Sequence, residues 1–120
     1  MVGGARFSRR ARLNGQNAFA RVFAQPIKSS DRYFTVFARP NALAQPRLGL
    51  AISRKVAKSA VDRNRLKRIA RESFRHHQQQ LGGLDYVVMG RVGTAEQDNA
   101  VLFASLQRHW RRLARPCAPS

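Results

Sequence analysis

The chain has 120 residues, of which 43% are hydrophobic, and this size and composition predict one globular domain with a modest core. Its 23 lysines and arginines against six acidic residues give a formal net charge of +17, which favours a polyanionic partner. No apolar run approaches the roughly 18 residues of a membrane-spanning helix. The single cysteine excludes an internal disulfide framework and fits a reducing cytoplasm.

The first predicted elements are a basic arm over residues 1–13 and a helix that begins at Asn14. The helix ends near Phe23, because the residue before Pro26 disfavours the helical region of the backbone. Phe19 and Phe23 lie one helical turn apart, so these rings either pack against a sheet or form the wall of a groove.

Alternation over Arg32–Arg39 predicts the first strand. One face is an ordinary apolar core face, made of Phe34, Val36 and Ala38. The other face mixes aromatic and basic side chains: Tyr33, Thr35, Phe37 and Arg39. Such a mixture is more typical of a sheet that stacks RNA bases than of a protein interior.

Three further strands follow from the pattern of apolar residues. Arg47–Ser53 predicts a strand with one bulky and one small face, and Lys55 adds charge just beyond its end. Val56–Lys58 is a candidate for a brief additional strand. Leu84–Gly90 is apolar on both faces, which predicts a strand in the middle of the sheet.

Ser59–Arg75 predicts a helix, with Ser59 as its N-cap. Its apolar side carries Leu66, Ile69, Ala70, Ser73 and Phe74. The opposite side carries polar and basic residues, namely Asn64, Lys67, Arg68, Arg71 and Arg75. A row of charges is commonly just a solvated face, but such faces usually mix signs, and here cations dominate. The pattern therefore favours a nucleic-acid surface over an idle one.

Asp98 or Asn99 can cap a final helix that runs to about Ala114, with Trp110 in its apolar stripe. The element order α-β-β-β-α-β-α predicts an α+β fold, a two-layer α/β sandwich with a small mixed sheet. We predict a single RNA-binding domain over residues 1–120, with its folded core at 14–114 and a tail at 115–120.

Catalytic patterns are absent from the sequence. The six acidic residues are scattered among caps and turns, and no two form an obvious pair for acid–base chemistry or for holding metal ions. The three histidines and one cysteine offer no zinc site and no convincing nucleophile pair. The protein alone does not have the residues of an enzyme.

Val61–Arg75, which contains Arg-Asn-Arg, Lys-Arg and Arg-Glu-Ser-Phe-Arg, resembles the marker helix of the bacterial ribonuclease P protein subunit. The resemblance extends from about Phe7 to Leu113. It includes Phe19–Phe23, the Arg-Leu-Gly-Leu-Ala-Ile-Ser-Arg-Lys stretch that starts at Arg47, and the beginning of the last strand. One departure is Ala57, where many members have glycine.

The resemblance implies a non-catalytic protein component of a ribonucleoprotein endoribonuclease that removes the 5′ leader of precursor tRNA. The implied partners are the catalytic RNA and the leader, with no membrane and no small-molecule substrate. Mg²⁺ ions held by the RNA would carry the hydrolysis, with no cofactor or metal bound tightly by the protein. The implied fold is that of ribosomal protein S5 domain 2, with a left-handed βαβ crossover.

The resemblance also implies roles for individual residues. It assigns to the surface for the RNA subunit Arg63, Asn64, Arg65, Lys67, Arg68, Arg71 and Arg75. It assigns to the leader cleft Phe19, Phe23, Tyr33 and Phe37, with Lys55 near its edge. Two alternatives remain open, a general RNA chaperone of ribosomal-protein type and a self-sufficient nuclease, although the second needs catalytic groups that we cannot assemble.

Overall fold

The structure is a computed structural model that describes residues 27–41 and 43–114. Its elements are, in chain order, β1 (Ile27–Ser30), β2 (Phe34–Pro40), β3 (Arg47–Ala51), α1 (Ala60–His77), β4 (Leu84–Gly90) and α2 (Asn99–Ala114). Short 3-10 helices follow α1 at Gln78–Gln80 and precede α2 at Thr94–Glu96. The predicted arm, the helix from Asn14 to Phe23 and the tail lie outside the described residues and stay predictions.

The four described strands form one mixed sheet in the order β1-β2-β4-β3. β2 is antiparallel to β1 and β4, whereas β3 and β4 are parallel. The central position of β4 confirms the prediction from its two apolar faces, since Val87 and Val88 are both fully buried. The small mixed sheet is therefore confirmed.

Two strand predictions are corrected by the structure. Residues 56–58 are not a strand, because the amides of Val56 and Ala57 both donate to the carbonyl of Ser53 and close a tight turn. The missing strand is β1, which the pattern of apolar residues does not reveal. β1 contains one apolar residue, Ile27, and its strand character comes from pairing with β2.

Both described helices pack on one face of the sheet. The core between the layers joins Phe34, Val36 and Ala38 of β2 to the predicted stripe of α1 and to Leu102, Leu106, Trp110 and Leu113 of α2. The predicted two-layer α+β architecture is thus confirmed. Because β3 and β4 are parallel, α1 is the crossover of a βαβ unit; its left-handed sense stays a prediction.

An aromatic triangle fixes the two helices against the sheet. Phe74, Tyr86 and Trp110 meet edge to face, with ring centroids 5.5–6.0 Å apart. The indole Nε1 of Trp110 donates to Ser73 Oγ over 2.8 Å, so the one polar atom of this buried ring is satisfied. Trp110 is a core residue, as the sequence predicts.

A buried polar cluster joins β1 to α2. Ser29 Oγ and His109 Nδ1 form a hydrogen bond of 2.6 Å, and His109 Nε2 lies 3.2 Å from Asp31 Oδ2. Burial lowers the pKa of His109, although the carboxylate of Asp31 opposes this shift. Burial raises the pKa of Asp31, but hydrogen bonds from Ser105 and from two backbone amides outweigh it and lower the pKa to about 2.

Candidate nucleic-acid interface

The orientation of α1 follows from its cap and its apolar stripe. Ser59 Oγ accepts hydrogen bonds from the amides of Val61 and Asp62, over 3.1 and 3.3 Å, so the helix begins where the sequence predicts. The buried residues of α1 are those of the predicted stripe: Leu66, Ile69, Ala70, Ser73 and Phe74. Burial of this stripe directs the opposite side of the helix toward solvent.

The α1 basic face consists of Asn64, Lys67, Arg68 and Arg71. Asn64, Arg68 and Arg71 are exposed, and Lys67 is half-buried. Within the ranges that the structure describes, neither Arg68 nor Arg71 forms a hydrogen bond or an ion pair. Two positive charges one turn apart with no internal counter-charge can bind an anion such as a phosphate group.

Arg75 continues this side of the helix but is partly neutralised. Its guanidinium NH2 lies 2.7 Å from Glu72 Oε2, and the hydrogen bond from Arg75 lowers the pKa of Glu72. Glu72 also lies 3.7 Å from His76 Nε2. Arg75 can therefore contribute less net charge to an anionic partner than Arg68 or Arg71.

Arg63 and Arg65, both assigned to RNA by the resemblance, use part of their guanidinium groups inside the protein. Arg63 NH1 donates to the carbonyls of Ala57 and Lys58, over 2.9 and 2.7 Å. These two bonds hold the turn after β3 against the first turn of α1.

Arg65 connects α1 to the segment before α2. Its Nε donates to Asn99 Oδ1 and its NH1 to the Ala95 carbonyl, both over 2.9 Å, and its NH2 donates to the Gln97 carbonyl. Three of the five guanidinium N–H groups are thus used internally. No sequence signal separates Arg65 from Arg68, because the partners of Arg65 lie some 30 residues further along the chain.

The face of the sheet opposite the two described helices carries Phe37. Its ring is half-buried and packs with Ala51 and Met89 against Val87, which is fully buried. Strand register pairs Phe37 with Val87 and Arg39 with Asp85 across β2 and β4. On the other side of β4, Gly49 pairs with Val87 and Arg47 with Asp85, so the two sets form successive rows of this face. The mixture of rings and cations that alternation predicts is therefore present from Phe37 to Arg39.

Tyr33 does not join Phe37 as the alternation predicts. It precedes β2, and its ring packs against the main core between sheet and helices. The reason is the turn: Asp31 Oδ1 accepts hydrogen bonds from the amides of both Tyr33 and Phe34, so regular alternation begins only at Phe34. Phe19 and Phe23, the other predicted rings of the cleft, lie outside the described residues.

Lys55 lines a surface depression of about 730 Å³ at the carboxyl ends of β3 and β4. The depression also contains the cations Arg32 and Arg91, together with Ser53, Val56, Gly90 and Val92. A side chain at Gly90 would bring its Cβ to 2.8 Å from Val56 Cγ1, so glycine there allows the turn that carries Lys55 to pack closely.

The described acidic side chains either form contacts within the protein or lie away from other acidic side chains. Asp85 receives two hydrogen bonds from Arg47, over 2.8 and 2.7 Å, and these bonds join β3 to β4. In the described ranges, no three histidine, cysteine, aspartate or glutamate side chains lie together in a group that could hold a metal ion. Neither described helix is long and apolar enough to cross a membrane. The exposed cations of the α1 basic face can bind anions, and the ring of Phe37 can stack on a planar group.

Comparison with known proteins supports a specific family. The family model for Ribonuclease P matches residues 7–114. The ribonuclease P protein component of Methylococcus capsulatus is 53% identical over 95% of this chain and 89% of its own length. The component from Thioalkalivibrio sulfidiphilus is 48% identical over 93% of each chain.

Solved structures agree with the fold. The RNase P protein of Staphylococcus aureus matches with a TM-score of 0.78 at 28% identity, covering 87% of this chain and 94% of its own. The RNase P protein of Thermotoga maritima matches with a TM-score of 0.76 at 31% identity, covering 84% and 96%. With its charge, its Arg-Asn-Arg helix and its two-layer fold, the chain belongs to the ribonuclease P protein component family.

Proposed function

We propose that this chain binds the catalytic RNA of ribonuclease P and the 5′ leader of precursor tRNA, and so assists endonucleolytic removal of the leader. Family membership supports the reaction, and one observation supports the binding surface. Arg68 and Arg71 are exposed on the α1 basic face and lack a counter-charge among the described residues. An RNA backbone would relieve the repulsion between them.

The roles divide among the elements. The α1 basic face contacts phosphates of the RNA subunit, while Arg63 and Arg65 hold that face in place. Phe37 offers a ring for stacking on a leader base, and Lys55 offers a charge for its backbone. Mg²⁺ ions in the RNA subunit supply the hydrolytic chemistry, and no step of that chemistry is assigned to a side chain of this protein.

A reconstitution experiment tests this proposal. Purified protein is incubated with precursor tRNA, with and without the cognate RNA subunit. We expect cleavage at the mature 5′ end only when the RNA is present, and faster cleavage with protein than with RNA alone. Cleavage by the protein alone would indicate a self-sufficient nuclease. Equal stimulation of unrelated folded RNAs would indicate a general RNA chaperone.

The α1 basic face is tested by the salt dependence of RNA-subunit binding. Replacement of Arg68 and Arg71 by alanine should lower the slope of log K against log salt by about 0.7–0.9 for each phosphate that the variant no longer neutralises. The matched control replaces Lys28 and Arg111, two exposed cations on β1 and α2, and removes the same charge. An equal effect in both variants would indicate that the RNA responds to the overall positive charge of the protein and not to the α1 basic face in particular.

A further inference from the structure

Four arginines from three parts of the chain meet at the turn between β1 and β2. Arg91 NH1 donates to Ser30 Oγ over 3.3 Å and to the Asp31 carbonyl over 2.9 Å. Arg108 NH2 lies 3.5 Å from Asp31 Oδ2, and Arg112 NH1 lies 3.4 Å from Ser29 Oγ. The turn itself contributes the fourth member. We name this group the turn cluster: Arg32, Arg91, Arg108 and Arg112.

The charge of the turn cluster is poorly compensated. Asp31 is the one carboxylate that contacts it among the described residues. Asp31 already accepts hydrogen bonds from two backbone amides and, over 2.6 Å, from Ser105 Oγ. Arg91 and Arg112 donate to neutral oxygens, which orient a guanidinium without cancelling its charge.

A purely structural explanation accounts for only part of this arrangement. A cation in the last turn of α2 interacts favourably with the helix dipole, which explains Arg112 in part, whereas Arg108 lies before that turn. Arg32 and Arg91 are not on the helix, and both are exposed. Arg32 forms no hydrogen bond or ion pair with any described residue. Gathering four like charges at one turn costs free energy unless an anion binds there.

We propose that the turn cluster is a second surface for the RNA backbone, separate from the α1 basic face. This inference rests on the proposed function and names a further contact with the same catalytic RNA. Arginine is suited to the role because its planar fork can bind two phosphate oxygens at once. Arg32 and Arg91 line the depression that also contains Lys55. α2 packs against β1 and β2, whereas α1 packs against β3, so Arg108 and Arg112 of α2 lie on a different helix and a different half of the sheet from the α1 basic face. One protein can therefore join two backbone segments of the RNA.

The test is binding of the full-length protein to the RNA subunit in the absence of precursor tRNA, measured over a range of salt. The variant replaces Arg32 and Arg112 by alanine. We expect weaker binding and a slope of log K against log salt that is lower by about 0.7–0.9 for each arginine. The melting temperature should stay close to that of the parent. Arg32→Ala alone, at a side chain with no hydrogen bond to any described residue, should give half of the change in slope.

Arg111→Ala is the matched control for the single Arg32→Ala variant, because each removes one positive charge. Arg111 is adjacent to Arg112 on α2, but the hydrogen bond to the turn comes from Arg112. Arg111→Ala should leave the slope unchanged. An equal effect of Arg111→Ala, an unchanged slope in the double variant, or a defect that appears only when precursor tRNA is added would each overturn the turn-cluster proposal. The Arg68 and Arg71 variant reports separately on the proposed function, since its effect does not require the turn cluster.

Discussion

Arg65 of α1 donates a hydrogen bond from Nε to Oδ1 of Asn99, the first residue of α2, over 2.9 Å. Through this bond and two more to backbone carbonyls, one arginine of the Arg-Asn-Arg sequence connects the helix that carries the α1 basic face to the start of the next helix. A residue that looks like an RNA ligand in the sequence thus has a structural role in the folded chain.

A double-mutant cycle tests this role. Arg65→Ala should destabilise the fold by about 1–3 kcal/mol, because carbonyls before α2 lose their charged donor. Asn99→Ala should cost less, and the double variant should cost less than the two single effects added together. The measurement is urea unfolding, with Arg68→Ala as the control, which should change stability by less than about 0.5 kcal/mol. Strict additivity would argue against the connection.

Ser73 and Trp110 give a second stability prediction. Ser73→Ala removes the acceptor of the buried indole N–H and leaves that donor unsatisfied, which should cost about 1–3 kcal/mol. Thermal or urea unfolding measures the loss. Ser105→Ala provides a comparison at a buried serine that donates to a carboxylate instead. A neutral effect of Ser73→Ala would mean that the indole finds another acceptor.

His109 predicts a pH dependence of stability. Burial, with a smaller contribution from Arg112 and Arg108, holds its pKa below the ordinary value of 6.5. Between the two values the unfolded chain binds a proton that the native state does not, so stability falls as pH decreases below about 6.5. For one proton the slope is at most about 1.4 kcal/mol per pH unit. Unfolding measured between pH 7.5 and 5 should show this decrease.

Replacement of a second, exposed histidine provides the control for this prediction. His109→Gln should remove the dependence, whereas His76→Gln, at an exposed position, should retain it. If stability still depends on pH in the His109→Gln variant, another titrating group causes the dependence. Asp31 acts at lower pH: because its pKa is lowered to about 2, it contributes stability above its ordinary value of 3.8, and this contribution is lost as pH falls through about 2.

Phe37 distinguishes a leader cleft from a core. If its ring stacks on a leader base, Phe37→Ala should weaken binding of precursor tRNA with a long leader by about 5- to 150-fold. Binding of a substrate with a one-nucleotide leader should change little. Phe34→Ala is the matched control, since removal of this fully buried ring should lower the free energy of unfolding by about 3–5 kcal/mol. A similar loss of stability for Phe37→Ala, or equal defects on both substrates, would make Phe37 a core residue.

The sequence pattern was sufficient where the burial of an element follows directly from the spacing of its apolar residues. The apolar stripe of α1, the two-sided burial of β4 and the core position of Trp110 all follow from local pattern. Local pattern failed for β1, whose residues Lys28, Ser29 and Ser30 have no apolar alternation. It failed also for Tyr33, because the carboxylate of Asp31 turns the backbone just before β2.

The sequence predicted which residues form the candidate site, but not which of them bond within the protein and which remain available to a partner. Arg65 and Arg68 are alike in sequence, and only the approach of Asn99 and Ala95 separates them. The turn cluster has no local signature, because its arginines come from distant parts of the chain. Long-range contacts of this kind depend on which strands and helices become neighbours, and local propensity does not encode that.

The central position of β4 has a consequence for synthesis of the chain. β4 follows β2, β3 and α1 in sequence, yet it provides the pairing edge of both β2 and β3. Until β4 is synthesised, these two strands have open edges and the apolar stripe of α1 lacks its sheet. Such distant pairings make folding slow. We therefore expect α1 to become stable only after β4 has been synthesised, because most of the stability of a helix comes from packing of its apolar face.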